Sequence, residues 1–229
     1  MDISEAVGQR RSVRAFRPDA VPRHILQEIL ELALRAPSWA NTQPWEVAVV
    51  SGKKLQAIKQ AFVSQRGVRA TPDFANPGEF PEPFQSRFVN LAVGLSAAGD
   101  TGQGGSKQPA WYEQGPTLYG APAAISICID RALCFQAAGL NVWPIFDCGL
   151  LSENIMLLAL RYGLGTIAQA QAVHYPGILR QALGLPETKL MLLGIAIGYP
   201  AMDNPVNRYR SERESADKVI KWFDSDESG

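Results

Sequence analysis

Histidine is nearly absent from this chain: only His24 and His174 occur in 229 residues, too few for a histidine-rich metal site. Cysteine is scarce as well. Cys128, Cys134 and Cys148 are odd in number and fit neither a CxxC pair nor a zinc-ligand spacing, so they read as buried thiols of a reducing cytoplasm, with no disulfide framework and no metal. An excess of one charge is also missing. The 22 Lys and Arg balance the 22 Asp and Glu, which leaves no overall field to draw nucleic acid or an anionic membrane and confines any anion site to a local cluster. Apolar runs such as 190–197 fall far short of the ~18 residues of a membrane span. The start of the chain lacks the apolar stretch of a secretory signal, and Asp2 and Glu5 speak against a transit peptide.

What is present is an ordinary globular composition, 46% hydrophobic and 19% charged, of a length that favours one large domain over residues 1–229. Asp2 and Glu5 suggest a capping box, with a helix over about 3–10. Pro22 opens a second helix in which Ile25, Leu26, Ile29, Leu30 and Ala33 repeat at three and four until Pro37. The run from Trp45 to Val50 reads as a buried strand, and 53–62 returns to helical spacing. Prolines 72, 77, 81 and 83 break up an excursion over about 65–83, of the length that lids and binding loops have. A helix follows over 84–98, then a glycine-rich turn region over 99–105. Strands are predicted at 121–130, 165–170 and 189–198, helices at 142–162 and 176–183, and Gly163 stands where a left-handed C-cap is needed. The 142–162 helix is apolar on more than one face, so it is expected to be buried on several sides or to lie in a subunit interface. Residues 203–229 form an extended polar tail that ends in Val219, Ile220, Trp222 and Phe223. The elements do not alternate as in a doubly wound fold, so the class is α+β.

Most catalytic templates fail. The run 94–98 misses the nucleophile-elbow pattern at its last position. In 99–107 the lysine follows the serine, which is the wrong order for a phosphate loop. Gly163 and Gly165 lack the third glycine and the later carboxylate of a dinucleotide fingerprint. A basic cluster remains: Arg10, Arg11, Ser12 and Arg14, three guanidinia and a hydroxyl within five residues, suited to phosphate oxygens. On the cluster alone, the solvated basic edge of a surface helix is the better reading, and a second feature shifts that balance. It joins helix to strand: Pro37, Ser38, Trp39, Asn41 and Gln43 form a proline-bounded loop whose polar groups suit a planar heterocycle. Its plain alternative is an Asx-type turn with Trp39 and Trp45 as core aromatics, which for Trp45 is the better reading.

Arg-Arg-Ser-Val-Arg followed about twenty-five residues later by Ala-Pro-Ser-x-x-Asn-x-Gln-Pro-Trp resembles the FMN-dependent nitroreductase family, including its nitrobenzoate reductase-like members. Three later stretches fit too: Tyr119-Gly120-Ala121-Pro122, Gly163-Leu164-Gly165-Thr166, and Leu193 to Pro200. The resemblance implies an α+β flavoprotein fold with a central mixed sheet flanked by helices, and a homodimer holding FMN at the subunit interface. It also implies NAD(P)H as co-substrate and ping-pong reduction of nitroaromatic or similar small planar acceptors. By position, Arg10, Arg11, Ser12 and Arg14 would hold the FMN phosphate, ribityl chain and polar ring edge, with Arg14 the cation beside the ring. Pro37, Ser38, Trp39 and Asn41 would arrive from the other subunit, and Trp39 would wall the acceptor pocket. Ala168, Gln169 and Ala170 would set a backbone N–H near flavin N5, and Arg210 or Arg213 would complete the phosphate clamp. Arg66 and Arg87 are further candidates for ligand contact. Since the cofactor carries the hydride chemistry, no side chain is assigned as a catalytic acid or base. The same cofactor would also serve reductive dehalogenation or enone reduction, or a carrier or sensor without turnover.

Overall fold

Ile125, Ile127 and Ile129, alternate residues of one strand, are all fully buried, and the sheet is organised around them. The computed structural model describes residues 1–99 and 110–223. Four strands, β1 (Trp45–Ser51), β2 (Ala123–Asp130), β3 (Gly165–Gln169) and β4 (Lys189–Gly198), form one sheet in the order β1-β2-β4-β3. Its ladders are antiparallel: Trp45 stands opposite Ile129, Ala123 opposite Ile197 and Gly165 opposite Gly198. The sheet becomes mixed only at its β3 edge, through an isolated parallel bridge between Ser12 and Thr166.

Among the described residues, six helices of seven residues or more flank it: α1 (Ile3–Gln9), α2 (Arg23–Ala33), α3 (Gly52–Ser64), α4 (Phe84–Gly99), α5 (Trp143–Leu160) and α6 (Pro176–Leu183). One face of the sheet packs Ile125, Ile127 and Ile129 against Leu26, Ile29 and Ala33 of α2 and Leu151, Ile155 and Ala159 of α5. The other packs Cys128, Met191 and Ala196 against Leu55, Ile58 and Phe62 of α3 and Leu179 of α6. Burying both faces explains why β2 and β4 are apolar with little alternation. All three cysteines are free and buried. Burial raises the thiols of Cys128, to about 11, and Cys148, to about 12, so neither ionises near neutrality.

Asp2 caps α1 by accepting from Glu5 N at 2.8 Å, but the Glu5 carboxylate accepts from Gln9 instead of closing the box. Pro22 is the N-cap of α2, not its first residue. By length and composition α5 could cross a membrane, contrary to the expectation that no apolar stretch is long enough, yet Leu151, Ile155 and Ala159 lie in the core. Gly163, at φ +68, is left-handed as its position after α5 requires. A small hairpin, Phe135–Gln136 with Gly139–Leu140, was not foreseen.

The 65–83 excursion carries neither helix nor strand but is tied down. The Asp73 carboxylate accepts from Arg180 Nη1 at 2.7 Å and from Met191 N at 2.8 Å. Tyr175 Oη donates to Val68 O at 2.8 Å, and Thr71 N donates to His174 O at 3.0 Å. The glycine-rich stretch lies, beyond Gly99, outside the described residues.

Candidate cofactor site

After α1 ends, Val13 N donates to Thr166 O at 2.9 Å, so the arginine motif lies along the β3 edge. Gly165 permits this approach, because a Cβ there would overlap the Val13 side chain. The C-terminal tail then crosses the motif. Asn207 Oδ1 accepts from Arg14 N at 2.8 Å, while its Nδ2 donates to Ala15 O at 2.7 Å and Ala201 O at 2.9 Å. Tyr209 lies on α4, where only a glycine at position 94 leaves room for its ring.

Between these segments opens a cavity of about 560 Å³ lined by Arg10, Arg11, Ser12, Arg14, Arg210 and Arg213. The structure thus brings together every cofactor candidate of the N-terminal motif and both tail arginines. Five guanidinia face it against one carboxylate, Glu153, which lies 3.5 Å from Arg10 Nε. The basic cluster is therefore not a solvated helix edge. Burial, and next the neighbouring Arg210, lower the pKa of Arg11; burial likewise lowers that of Arg14, although an arginine stays cationic at any physiological pH. Arg210 Nη1 donates to Gln9 O at 3.1 Å and Arg213 Nη1 to Ser211 Oγ at 2.8 Å.

The loop Pro37–Asn41 does not line this cavity. Its Trp39 is 61% exposed, whereas Trp45 is in the core. Ala40, Asn41 and Gln43 all take positive φ, 48°, 57° and 46°, a strained run for residues with a Cβ. Side-chain acceptors help to hold it: Trp39 N donates to the buried Asp147 carboxylate at 3.1 Å, and Gln43 N to Ser38 Oγ at 3.0 Å. Ala168 and Gln169 end β3 and Ala170 follows it; both alanines are exposed, and Gln169 is buried between them. Arg66 is elsewhere, on a second hollow of about 440 Å³ beside His174 and Tyr175. Arg87 lines a third groove, of about 710 Å³, which shares Arg210 and Arg213 with the first. Sequence reasoning missed Asn207, Tyr209, Glu153 and Asp147. None belongs to a local motif, and only the Asn204-Pro205 turn signal marked the neighbourhood of Asn207.

The buried side-chain atoms test whether this site fits a flavin mononucleotide. Among the described residues, four buried side-chain nitrogen or oxygen atoms lack a hydrogen-bond partner, and three belong to cofactor candidates: Arg11 Nε, Arg14 Nε and Gln169 Oε1. Such groups are costly unless a ligand or water satisfies them. Unpaired donors on two cavity arginines suit a phosphate and a polar ring edge, and the volume falls in the range of cofactor sites.

The model of the nitroreductase family matches residues 7–199. A 4-nitrobenzoate reductase of Nocardioides sp. (strain LMS-CY) is 28% identical, over 95% of this chain and 89% of the relative. Nitroreductase NfnB of Mycolicibacterium smegmatis is 32% identical over 97% and 94%. The crystal structure of the FMN and NADPH-dependent nitroreductase NfnB from a Sphigopyxis strain superposes with a TM-score of 0.88 at 30% identity, covering 98% of this chain and all of the other.

Proposed function

The chain belongs to the nitroreductase family, and from that premise we propose that it is an FMN-dependent NAD(P)H oxidoreductase that reduces nitroaromatic or similar planar acceptors. The observation that carries this reading is the convergence of two segments some 200 residues apart, 10–14 and 210–213, on one arginine-walled cavity. Arg10, Arg11, Arg210 and Arg213 bind the phosphate through charge-assisted bonds. Arg14 lies deeper and sets a positive charge beside the ring, favouring its electron-rich form. The turn of Ala168, Gln169 and Ala170, whose two alanines are exposed, would offer a backbone N–H to the flavin. Bound FMN would supply the hydride-transfer chemistry between NAD(P)H and the acceptor, which is why the site needs no side-chain acid or base.

The functional unit is a homodimer of single-domain subunits spanning residues 1–229. Support comes from apolar side chains left uncovered: Trp143 and Phe146 at the start of α5 are 53% and 59% exposed, and Trp222 and Phe223 in the tail 80% and 90%. Patches of that kind mark association surfaces. A second copy would cover them and bring Pro37, Ser38, Trp39 and Asn41 to the partner's flavin.

The test is anaerobic. Bleaching of the bound flavin by NADH or NADPH and recolouring by a nitroaromatic is the expected result. Failure with both nucleotides would leave a flavin carrier, and a stable flavin-bearing monomer in sedimentation would refute the shared site.

A further inference from the structure

Among the described residues, Glu153 is the one acid that lines the arginine-walled cavity. It stands on α5 with its side chain 47% exposed, and its Oε1 lies 3.5 Å from Nε of Arg10, whose side chain is 20% exposed. That separation is longer than the ~2.7–3.2 Å of an N–H···O hydrogen bond, so charge attraction, and not a directed bond, holds the pair. An ion pair so open to water adds little to the stability of the fold. The other cavity arginines rest on neutral acceptors. Arg14 Nη1 is 3.4 Å from Ser12 O, Arg210 Nη1 3.1 Å from Gln9 O and Arg213 Nη1 2.8 Å from Ser211 Oγ. Arg11 Nη2 is 3.5 Å from the Met202 thioether, and Arg11 Nε is buried without a partner. A neutral acceptor leaves the full charge of its arginine to an incoming anion. A carboxylate cancels part of that charge beforehand and repels the anion once it is bound.

We infer that Glu153 is a built-in counter-anion that sets the affinity of the phosphate site: it competes with the phosphate of FMN for Arg10 and keeps the grip of the site below what its five arginines could reach. The inference rests on the proposed FMN site. Any anion that engages Arg10 does so beside a carboxylate on the same guanidinium. The penalty scales with the charge of the ligand, so it falls on FMN and spares riboflavin, which lacks the phosphate. A carboxylate that served instead to orient Arg10 would act in the opposite sense, and its loss would weaken FMN binding. The long Nε–Oε1 separation and the open position of the acid favour the competitor.

The experiment titrates the full-length apoprotein, wild type and Glu153→Gln, with FMN and with riboflavin in a calorimeter at low ionic strength. The amide keeps the shape of the side chain and removes its charge at a half-exposed position, so the fold is retained. Glu153→Gln should bind FMN at least about threefold more tightly than wild type, the scale of one exposed charge pair, and leave riboflavin as it is in the wild type. The gain should shrink in about 0.5 M sodium chloride, because salt screens exposed charges. A smaller gain, a loss of FMN affinity, an equal gain for riboflavin, or a gain indifferent to salt overturns the inference while leaving the cofactor reading intact. Failure of the wild-type protein to bind FMN overturns both.

Discussion

Arg14 and Asn207 are joined through main chain and side chain: the Arg14 amide donates to Asn207 Oδ1 at 2.8 Å, across 193 residues of sequence. Asn207 is 1% exposed and spends its amide nitrogen on Ala15 O and Ala201 O. One side chain thus locks the N-terminal arm to the tail and sets the distance between the two arginine groups of the cavity. Asn207→Ala leaves these main-chain groups buried without their partner. It should cost about 2 kcal/mol or more of folding stability, read by urea unfolding, and weaken FMN binding without touching a guanidinium. Unchanged values for both would show that the tail is held by other means.

Position in the cavity, not charge alone, should decide which arginines matter. Arg14→Ala is expected to lower FMN affinity by at least tenfold, each charge-assisted contact being worth about 1.5–3 kcal/mol. Arg66→Ala, on the separate hollow, should change it by less than about twofold. Fluorescence titration of both apoproteins decides, and equal losses would contradict the site assignment.

The Trp39 loop depends on a buried carboxylate. Asp147→Ala removes the acceptor for Trp39 N and frees a run with three strained residues. The expected outcome is weaker FMN retention by the dimer with little change in the far-ultraviolet circular dichroism. Asp147→Asn, which keeps an acceptor oxygen, should restore most of the binding. If the alanine variant holds FMN like wild type, the loop makes no contribution across the subunits.

The major helices and strands were legible because each carries its own period: α2 repeats at three and four, and β2 places Ile125, Ile127 and Ile129 at alternate positions. The hairpin at 135–140 was not, since two-residue strands carry no period. Half the site was legible for a similar reason. Arg10, Arg11, Ser12 and Arg14 advertise an anion site within five residues, whereas Asp147 acquires its role from Trp39, 108 positions away.

Acid should loosen the excursion at His174. Burial holds this imidazole below its ordinary pKa of 6.5, and its Nε2 lies 3.1 Å from Asn76 Nδ2, a donor that requires the neutral ring. As pH falls through 6.5 the unfolded chain gains a proton that the folded ring resists, so stability declines until the lower folded-state pKa is passed. Thermal unfolding between pH 7.5 and 5, each ~0.5 unit, should show a shallower decline in His174→Gln than in wild type. Parallel curves would remove His174 from the account.

The arginine cavity is claimed as a phosphate site for a mononucleotide flavin, and calorimetric titration of the apoprotein with FMN and with riboflavin isolates that claim, since the two ligands differ only in the phosphate. The account predicts one FMN per chain, bound at least a hundredfold more tightly than riboflavin, because several charge-assisted contacts are lost at about 1.5–3 kcal/mol each. Equal affinity for the two, or no binding of either, would contradict it.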